Sequence, residues 1–172
     1  MVLKRKYIIL IGFSALIIAL DQLVKMYVHL HFHLGESVPV LEGYFNITYV
    51  RNPGAAFGFL GQSHPTFREY FFLLMPPVAL LIILAILRGV NDRDYWQIFA
   101  LSSVFGGAVG NYIDRLQFRY VIDYLDFHWR EMYTWPAFNI ADMAIVCGVG
   151  VLMVLMYREG RQTSSESKAN AS

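Results

Sequence analysis

The chain has 172 residues, of which 56% are hydrophobic and only 16% charged, with a formal net charge of +1. A soluble globular domain carries about 45–50% apolar and about 25% charged residues, and the excess here is gathered into runs close to the ~20 residues that cross a bilayer. The runs exclude a soluble enzyme, and the near-neutral charge implies no bulk attraction to nucleic acid.

The first apolar run, residues 7–28, follows Lys4-Arg5-Lys6. A basic stretch before such a run also opens a secretory signal peptide. Here no small-x-small cleavage site follows, and Asp21, Gln22 and Lys25 continue the segment, so a retained helix is expected. An outer segment of about residues 29–66 comes next. Residues 43–50 are rich in aromatic and β-branched side chains and predict one or two short strands. Asn52-Pro53-Gly54 then turns into Ala55-Ala56-Phe57. The segment reads as a small, partly β cover over a site below it. His29, His31 and His33 alternate, which raises a metal site. With no fixed carboxylate or cysteine partner they read instead as interfacial side chains, and no metal or other cofactor is expected.

The second run, residues 70–87, contains Pro76-Pro77, which should kink it. The third, residues 96–113, carries Ser102, Ser103, Gly106, Gly107 and Gly110. Small residues at that spacing let helix backbones approach closely and put this helix at the centre of a bundle. An outer loop of about residues 114–137 holds Asp123 among Val121, Ile122, Tyr124 and Leu125, with Trp129, Tyr133 and Trp135 suited to an interfacial aromatic belt. Burial in such surroundings raises a carboxyl pKa. Asp126 reads as solvated. The fourth run, residues 138–157, includes the lone Cys147, whose expected burial makes it a poor nucleophile. The Ser-rich tail, residues 161–172, reads as disordered.

The expected architecture is therefore a mainly α membrane protein. Four transmembrane helices and a small extracytoplasmic β-containing segment form a single domain over residues 1–160. Basic residues before the first run, between the second and third, and after the fourth place both termini in the cytoplasm. On that topology Asp21, Asn111 with Asp114, and Asn139 with Asp142 all fall near the outer face. Both Asn-x-x-Asp pairs put an amide and a carboxylate on one helix face, and Arg115 beside Asp114 suggests a structural ion pair. Asp123 with Asp142 has the surroundings for acid–base chemistry, since two carboxylates at one low-dielectric site can hold one proton between them. The residues alone do not isolate two of the aspartates.

Four separated motifs resemble the lipoprotein signal peptidases, or signal peptidase II, of bacterial inner membranes. They are Asp21-Gln22-Leu-Val-Lys25, Asn52-Pro-Gly54-Ala55-Ala56-Phe57, Gly110-Asn111-Tyr-Ile-Asp114-Arg115 with Val121-Ile-Asp123, and Phe138-Asn139-Ile-Ala141-Asp142. Two departures are Arg119, where the family often has Gly, and Tyr124, where it often has Phe. The resemblance implies an aspartic endopeptidase with Asp123 and Asp142 as the catalytic pair. It implies that Asp21, Lys25, Asn52, Gly54, Asn111, Asp114, Arg115 and Asn139 position that pair or the substrate. The implied substrate is a diacylglyceryl-modified prolipoprotein, cut on the amino side of the lipid-bearing cysteine, by a monomer in the membrane lipid with its site near the outer face. Alternatives from other classes are a small proton- or ion-coupled transporter and a structural subunit whose aspartates bond partner helices.

Overall fold

The computed structural model describes residues 4–54, 64–130 and 132–169, with side chains described as far as Gln162. Ala55, Ala56 and Phe57 lie outside the described residues. Among the described residues four helices and four strands follow in the order α1 (Arg5–His31), β1 (Ser37–Leu41), β2 (Phe45–Asn52), α2 (Pro65–Gly89), α3 (Tyr95–Phe118), β3 (Val121–Trp129), β4 (Tyr133–Thr134) and α4 (Ile140–Ala169).

Three of these helices, α1, α2 and α4, are long and apolar enough to cross a membrane. The third is less apolar because it is the shared core, packing against α1, α2 and α4. Its small residues make that possible. A Cβ on Gly107 would run into the Ala141 carbonyl oxygen and lie 2.8 Å from Ile145 Cγ1 of α4. A Cβ on Gly110 would lie 2.8 Å from the Asp21 carboxylate of α1.

At one end, Leu10, Ile83, Leu87, Val90, Ile98 and Leu101 form a buried cluster. Buried Lys6 donates to the carbonyls of Arg88 (2.8 Å) and Val90 (2.7 Å), satisfying acceptors left open where α2 ends. Lys6 thus fastens the start of α1 to the end of α2. Helix α2 runs unbroken through Pro76-Pro77. Cys147 is exposed on the surface of α4, contrary to the burial expected from its apolar neighbours. Along a helix in lipid an apolar residue faces outward as readily as inward. The last helix also continues to Ala169, into the segment read from composition as disordered. Extending an existing helix adds one hydrogen bond per residue without a new nucleation cost.

At the other end the strands form an antiparallel array in the order β1-β2-β3-β4. The sequence reading expected strands only in the outer segment. The outer loop supplies β3 as well, and the alternation from Leu125 to Trp129 is the signal for it. Beneath the sheet Val28, Tyr49, Ile122 and Tyr124 form a second buried cluster. In the β2–β3 ladder Ile47 pairs with Leu125 and Val50 with Asp123, so Thr48 and Tyr49 together oppose Tyr124. That extra residue is a β-bulge. Beyond it Val50 and Asn52 share a face with Asp123.

Candidate active site

Lys25 is the hub of the polar cluster. Its ammonium lies 2.8 Å from Asp21 Oδ2, 3.0 Å from Asp114 Oδ2 and 2.8 Å from Asn111 Oδ1. Three acceptors match its three protons. Gln22 adds an amide hydrogen bond to Asp114 Oδ1 at 2.8 Å and one to the Gly110 carbonyl at 3.1 Å.

Each of the two paired carboxylates reaches onward to a backbone amide. Asp21 Oδ1 accepts from Ala141 N at 2.9 Å, and Asp114 Oδ2 accepts from Ile122 N at 3.0 Å. Ala141 precedes Asp142, and Ile122 precedes Asp123. Lys25 therefore joins two equivalent docking bonds. One holds the helix that carries Asp142, and the other holds the strand that carries Asp123.

The start of α4 is fully accounted for. Its first amide, Ile140 N, donates to the Tyr124 hydroxyl at 3.3 Å, its second to Asp21, and its third, Asp142 N, to Asn139 Oδ1 at 2.9 Å. The first amides of a helix have no partner within it, and Asn is among the best residues for capping them. Asp142 thereby sits in the first turn, where the positive end of the helix dipole favours a carboxylate.

The two amides expected to steady carboxylates do so across elements rather than within their own motifs. Asn111 Nδ2 donates to Asp142 Oδ1 at 2.7 Å, and Asn139 Nδ2 donates to Asp123 Oδ1 at 2.7 Å. Asn139 also reaches Asn111 Oδ1 at 3.2 Å, so the supports of the two aspartates are joined. The other Asp123 oxygen accepts from Asn52 Nδ2 at 3.0 Å, and Asn52 Oδ1 in turn accepts from Gly54 N.

Arg115 does not form the expected ion pair with Asp114. Successive helix residues point about 100° apart. Asp114 faces α1, while Arg115 donates to the carbonyls of Gly54 and Asn111, each at 3.1 Å, and lies over the Phe72 ring.

Asp123 and Asp114 are equally buried, and it is the cavity that divides the aspartates. A cavity of about 1250 Å³, on the face of the sheet opposite the Ile122–Tyr124 cluster and along α4, is walled by Asp123, Asp142, Asn52 and Gly54 with aromatic side chains including Phe127 and Trp135. Asp21 and Asp114 are sealed and occupied by Lys25. Burial, and next the negative charge of Asp142, push the Asp123 carboxyl up from 3.8 to about 7, against the opposing pull of Asn52, Asn139 and Lys25. A carboxyl in this range can hold a proton near neutral pH.

The histidines do not converge. His29 Nδ1 meets the Tyr49 hydroxyl, and His31 Nδ1 meets the Tyr27 carbonyl. Among the described residues no cluster of three or more His, Cys, Asp or Glu is disposed to hold a metal. Sequence reasoning gave no role to Gln22 or Tyr124. The position of Gln22 in the polar stripe with Asp21 and Lys25 is a usable signal. That of Tyr124 depends on a strand the sequence reading did not expect.

An antiparallel sheet on helices of membrane length, with two carboxylates lining one cavity, fits a membrane-embedded enzyme. Residues 13–158 match the family model described as signal peptidase (SPase) II. The chain is 44% identical over 162 residues to the lipoprotein signal peptidase of Syntrophus aciditrophicus (strain SB), covering 94% of this chain and all of that one. It is 45% identical over 145 residues to that of Geobacter sulfurreducens, covering 84% and 89%. A bacterial membrane enzyme solved by the in meso method superposes with a TM-score of 0.74 at 27% identity over 88% of each chain. The chain belongs to the signal peptidase II family. It is accordingly an aspartic protease of bacterial membranes, and the transporter and structural-subunit alternatives fall away.

Proposed function

We propose that Asp123 and Asp142 are the catalytic pair with which this peptidase removes the signal peptide from prolipoproteins. The observation that carries the assignment is the cavity lining: of the carboxylates gathered by α1, α3, α4 and β3, these two wall the cavity. Asp123, held protonated near neutral pH, donates to the scissile carbonyl oxygen. Asp142, steadied as an anion by Asn111 and the start of α4, takes a proton from water, whose oxygen attacks the carbonyl carbon. Collapse of the resulting tetrahedral species breaks the C–N bond as the nitrogen takes up a proton.

Asp21, Lys25 and Asp114 dock the two catalytic elements. Asn52, Asn111 and Asn139 orient the carboxyl groups, and Arg115 with Gly54 shapes the approach to them. The substrate is a prolipoprotein whose cysteine carries diacylglyceryl, cut on the amino side of that cysteine. Its acyl chains stay in the lipid while the backbone enters the polar cavity. This reading takes α3 as a fourth span, places both termini in the cytoplasm and the site near the outer face of the inner membrane, and has the chain act as a monomer. The distribution of Lys and Arg supports the orientation.

Cleavage of a diacylglyceryl-modified prolipoprotein by detergent-purified protein tests the assignment. Wild type is expected to cleave. Asp123→Asn and Asp142→Asn are expected to be inactive while keeping the wild-type unfolding transition. Cleavage by either folded variant would remove that residue from the pair.

A further inference from the structure

One stretch of the sheet has an open edge, and the reaction described above gives it no role. Strand β1 and the residues before it cover β2 only as far as Tyr49. The Tyr49 N–H donates to the Glu36 carbonyl at 3.0 Å, and the Tyr49 carbonyl accepts from Gly35 N at 2.9 Å. Before that point the chain turns away, with Glu36 N closing onto the His33 carbonyl. Val50, Arg51 and Asn52 carry β2 onward, opposite Asp123, Ile122 and Val121 of β3. Val50 and Arg51 are exposed there.

The direction of the Arg51 main-chain groups follows from the residue it faces. Ile122 has both of its own groups bonded on the side away from β2. Its N–H donates to Asp114 Oδ2 at 3.0 Å, and its carbonyl accepts from Asn139 Nδ2 at 3.3 Å. In an antiparallel ladder, opposed residues alternate between pairs that bond each other and pairs whose groups turn outward. Arg51 and Ile122 are a pair of the second kind. The Arg51 N–H and C=O therefore point out of the open edge. Tyr49, two residues earlier and in the same phase, turns its groups to that same side, where Glu36 and Gly35 take them. Among the described residues no main-chain group bonds Arg51 on that side. The side chain leaves the edge clear: its Nε donates to the Tyr49 hydroxyl at 3.0 Å, and its guanidinium lies over the Tyr120 ring.

We propose that the β2 edge at Arg51 docks the mature part of the substrate, the chain that remains after the cut, as one extended strand added to the sheet. A free edge offers a donor and an acceptor at peptide spacing, and an extended peptide carries the complementary pair. The edge is continuous with the site, since Val50, Arg51 and Asn52 line the same cavity as Asp123 and Asp142. The proposal rests on the reading of those aspartates as the catalytic pair near the outer face. On that reading the signal peptide lies in the lipid on the amino side of the cut, so the segment that reaches the sheet is on the carboxyl side. Adjacent strands lie about 4.8 Å apart, which puts the added strand about 10 Å from β3 and its bonded residue about three residues past the cut. Recognition through the main chain reads no side chain. The edge therefore accepts any mature sequence except one whose bonded residue lacks an N–H.

The test is an N-methyl scan of a diacylglyceryl-modified prolipoprotein peptide, cleaved by the full-length protein in micelles. Single N-methyl groups are placed at successive residues beyond the lipid-bearing cysteine and on the signal-peptide side. One residue past the cysteine is expected to lose about fivefold in kcat/KM, the weight of about one hydrogen bond. Its immediate neighbours, whose N–H groups point away from β2, should lose about twofold at most. On the enzyme, Arg51→Pro deletes the donor at a place where an edge strand tolerates Pro. Arg51→Ala keeps the N–H and loses the guanidinium, so the ratio of the two variants isolates the main-chain group. Arg51→Pro is expected to have kcat/KM about fivefold below Arg51→Ala, and the N-methyl effect should shrink in it. A scan that is flat beyond the cysteine, or whose loss falls only on the signal-peptide side, overturns the proposal. Equal cleavage by folded Arg51→Pro and Arg51→Ala overturns it too. Should Arg51→Pro not fold, the scan on wild type decides alone. A flat scan with normal cleavage strikes the edge and spares the catalytic pair, whereas wild type that leaves the unmethylated peptide uncut overturns the catalytic reading itself.

Discussion

Lys25 Nζ and Asp21 Oδ2 lie 2.8 Å apart, one helical turn from each other on α1, with both side chains almost wholly buried. Asp114 completes the arrangement from α3 at 3.0 Å. Removing one member of a buried ion pair leaves the other charged and desolvated, at a cost of about 3–5 kcal/mol. Lys25→Met is therefore expected to lower the unfolding transition in micelles by that order and to abolish cleavage. Adding Asp21→Asn to Lys25→Met should recover part of the stability, because one uncompensated charge is removed. Recovery of nothing would mean that the ion pair is not what Lys25 supplies.

The raised pKa of Asp123 makes a signed prediction. Between about pH 4 and about pH 7 the carboxyl is protonated in the folded chain and ionised in the unfolded one. The folded state binds more protons there, so this group's contribution to stability falls as pH rises through that window. Asp123→Asn should flatten the loss and be more stable than wild type above pH 7, measured by denaturation at several pH values. On the proposed assignment, kcat of wild type is also expected to fall above about pH 7 as Asp123 loses its proton.

Gly107 sets the distance between α3 and α4. Its missing Cβ is the space occupied by the Ala141 carbonyl, next to Asp142. Gly107→Ala should push the helices apart, stretch the Asn111–Asp142 hydrogen bond, cost about 1–3 kcal/mol as overpacking does, and reduce cleavage. Gly150→Ala, where a Cβ meets nothing within 4 Å, is the matched control and should fold and cleave as wild type. Equal effects at both sites would show that helix propensity, not close approach, governs.

The two departures from the family pattern are predicted to have small and opposite effects. Arg119 ends α3 in the left-handed region, with φ of 65°. A side chain there is strained by roughly 1 kcal/mol, and its ion pair with Glu69 is half-exposed and worth little. Arg119→Gly is expected to raise stability by about 1 kcal/mol. Tyr124→Phe removes the acceptor for Ile140 N and is expected to cost about 1 kcal/mol. Chemical denaturation of both variants checks the signs.

The convergence of Asp21, Asp114 and Asp142 was legible in the sequence because hydropathy set the helices and successive helices alternate in direction, and Asp123 was picked out by its apolar surroundings. The choice of partners was not. Asp114 and Arg115 are neighbours in the chain but face different helices, and a local pattern carries no information about which helix packs on which face. Likewise Asn111 and Asn139 were read as supporting the aspartates of their own motifs, whereas each supports the other element's aspartate or its own helix cap. Strand β3 was missed because its residues were read for Asp123 and for the interface, and its pairing with β2 is set by contacts distant in the chain.

The bulge at Thr48 and Tyr49 works as a phase shift in a strand. Side chains alternate between faces with a period of two, so a single inserted or deleted residue inverts every position downstream. Deleting either bulge residue would return β2 and β3 to a regular ladder and keep Asn52 on the face of Asp123, whereas inserting one between Val50 and Asn52 would turn Asn52 away. Catalytic competence on this sheet is thus a matter of parity, and a change in chain length can extinguish it without altering any residue of the site.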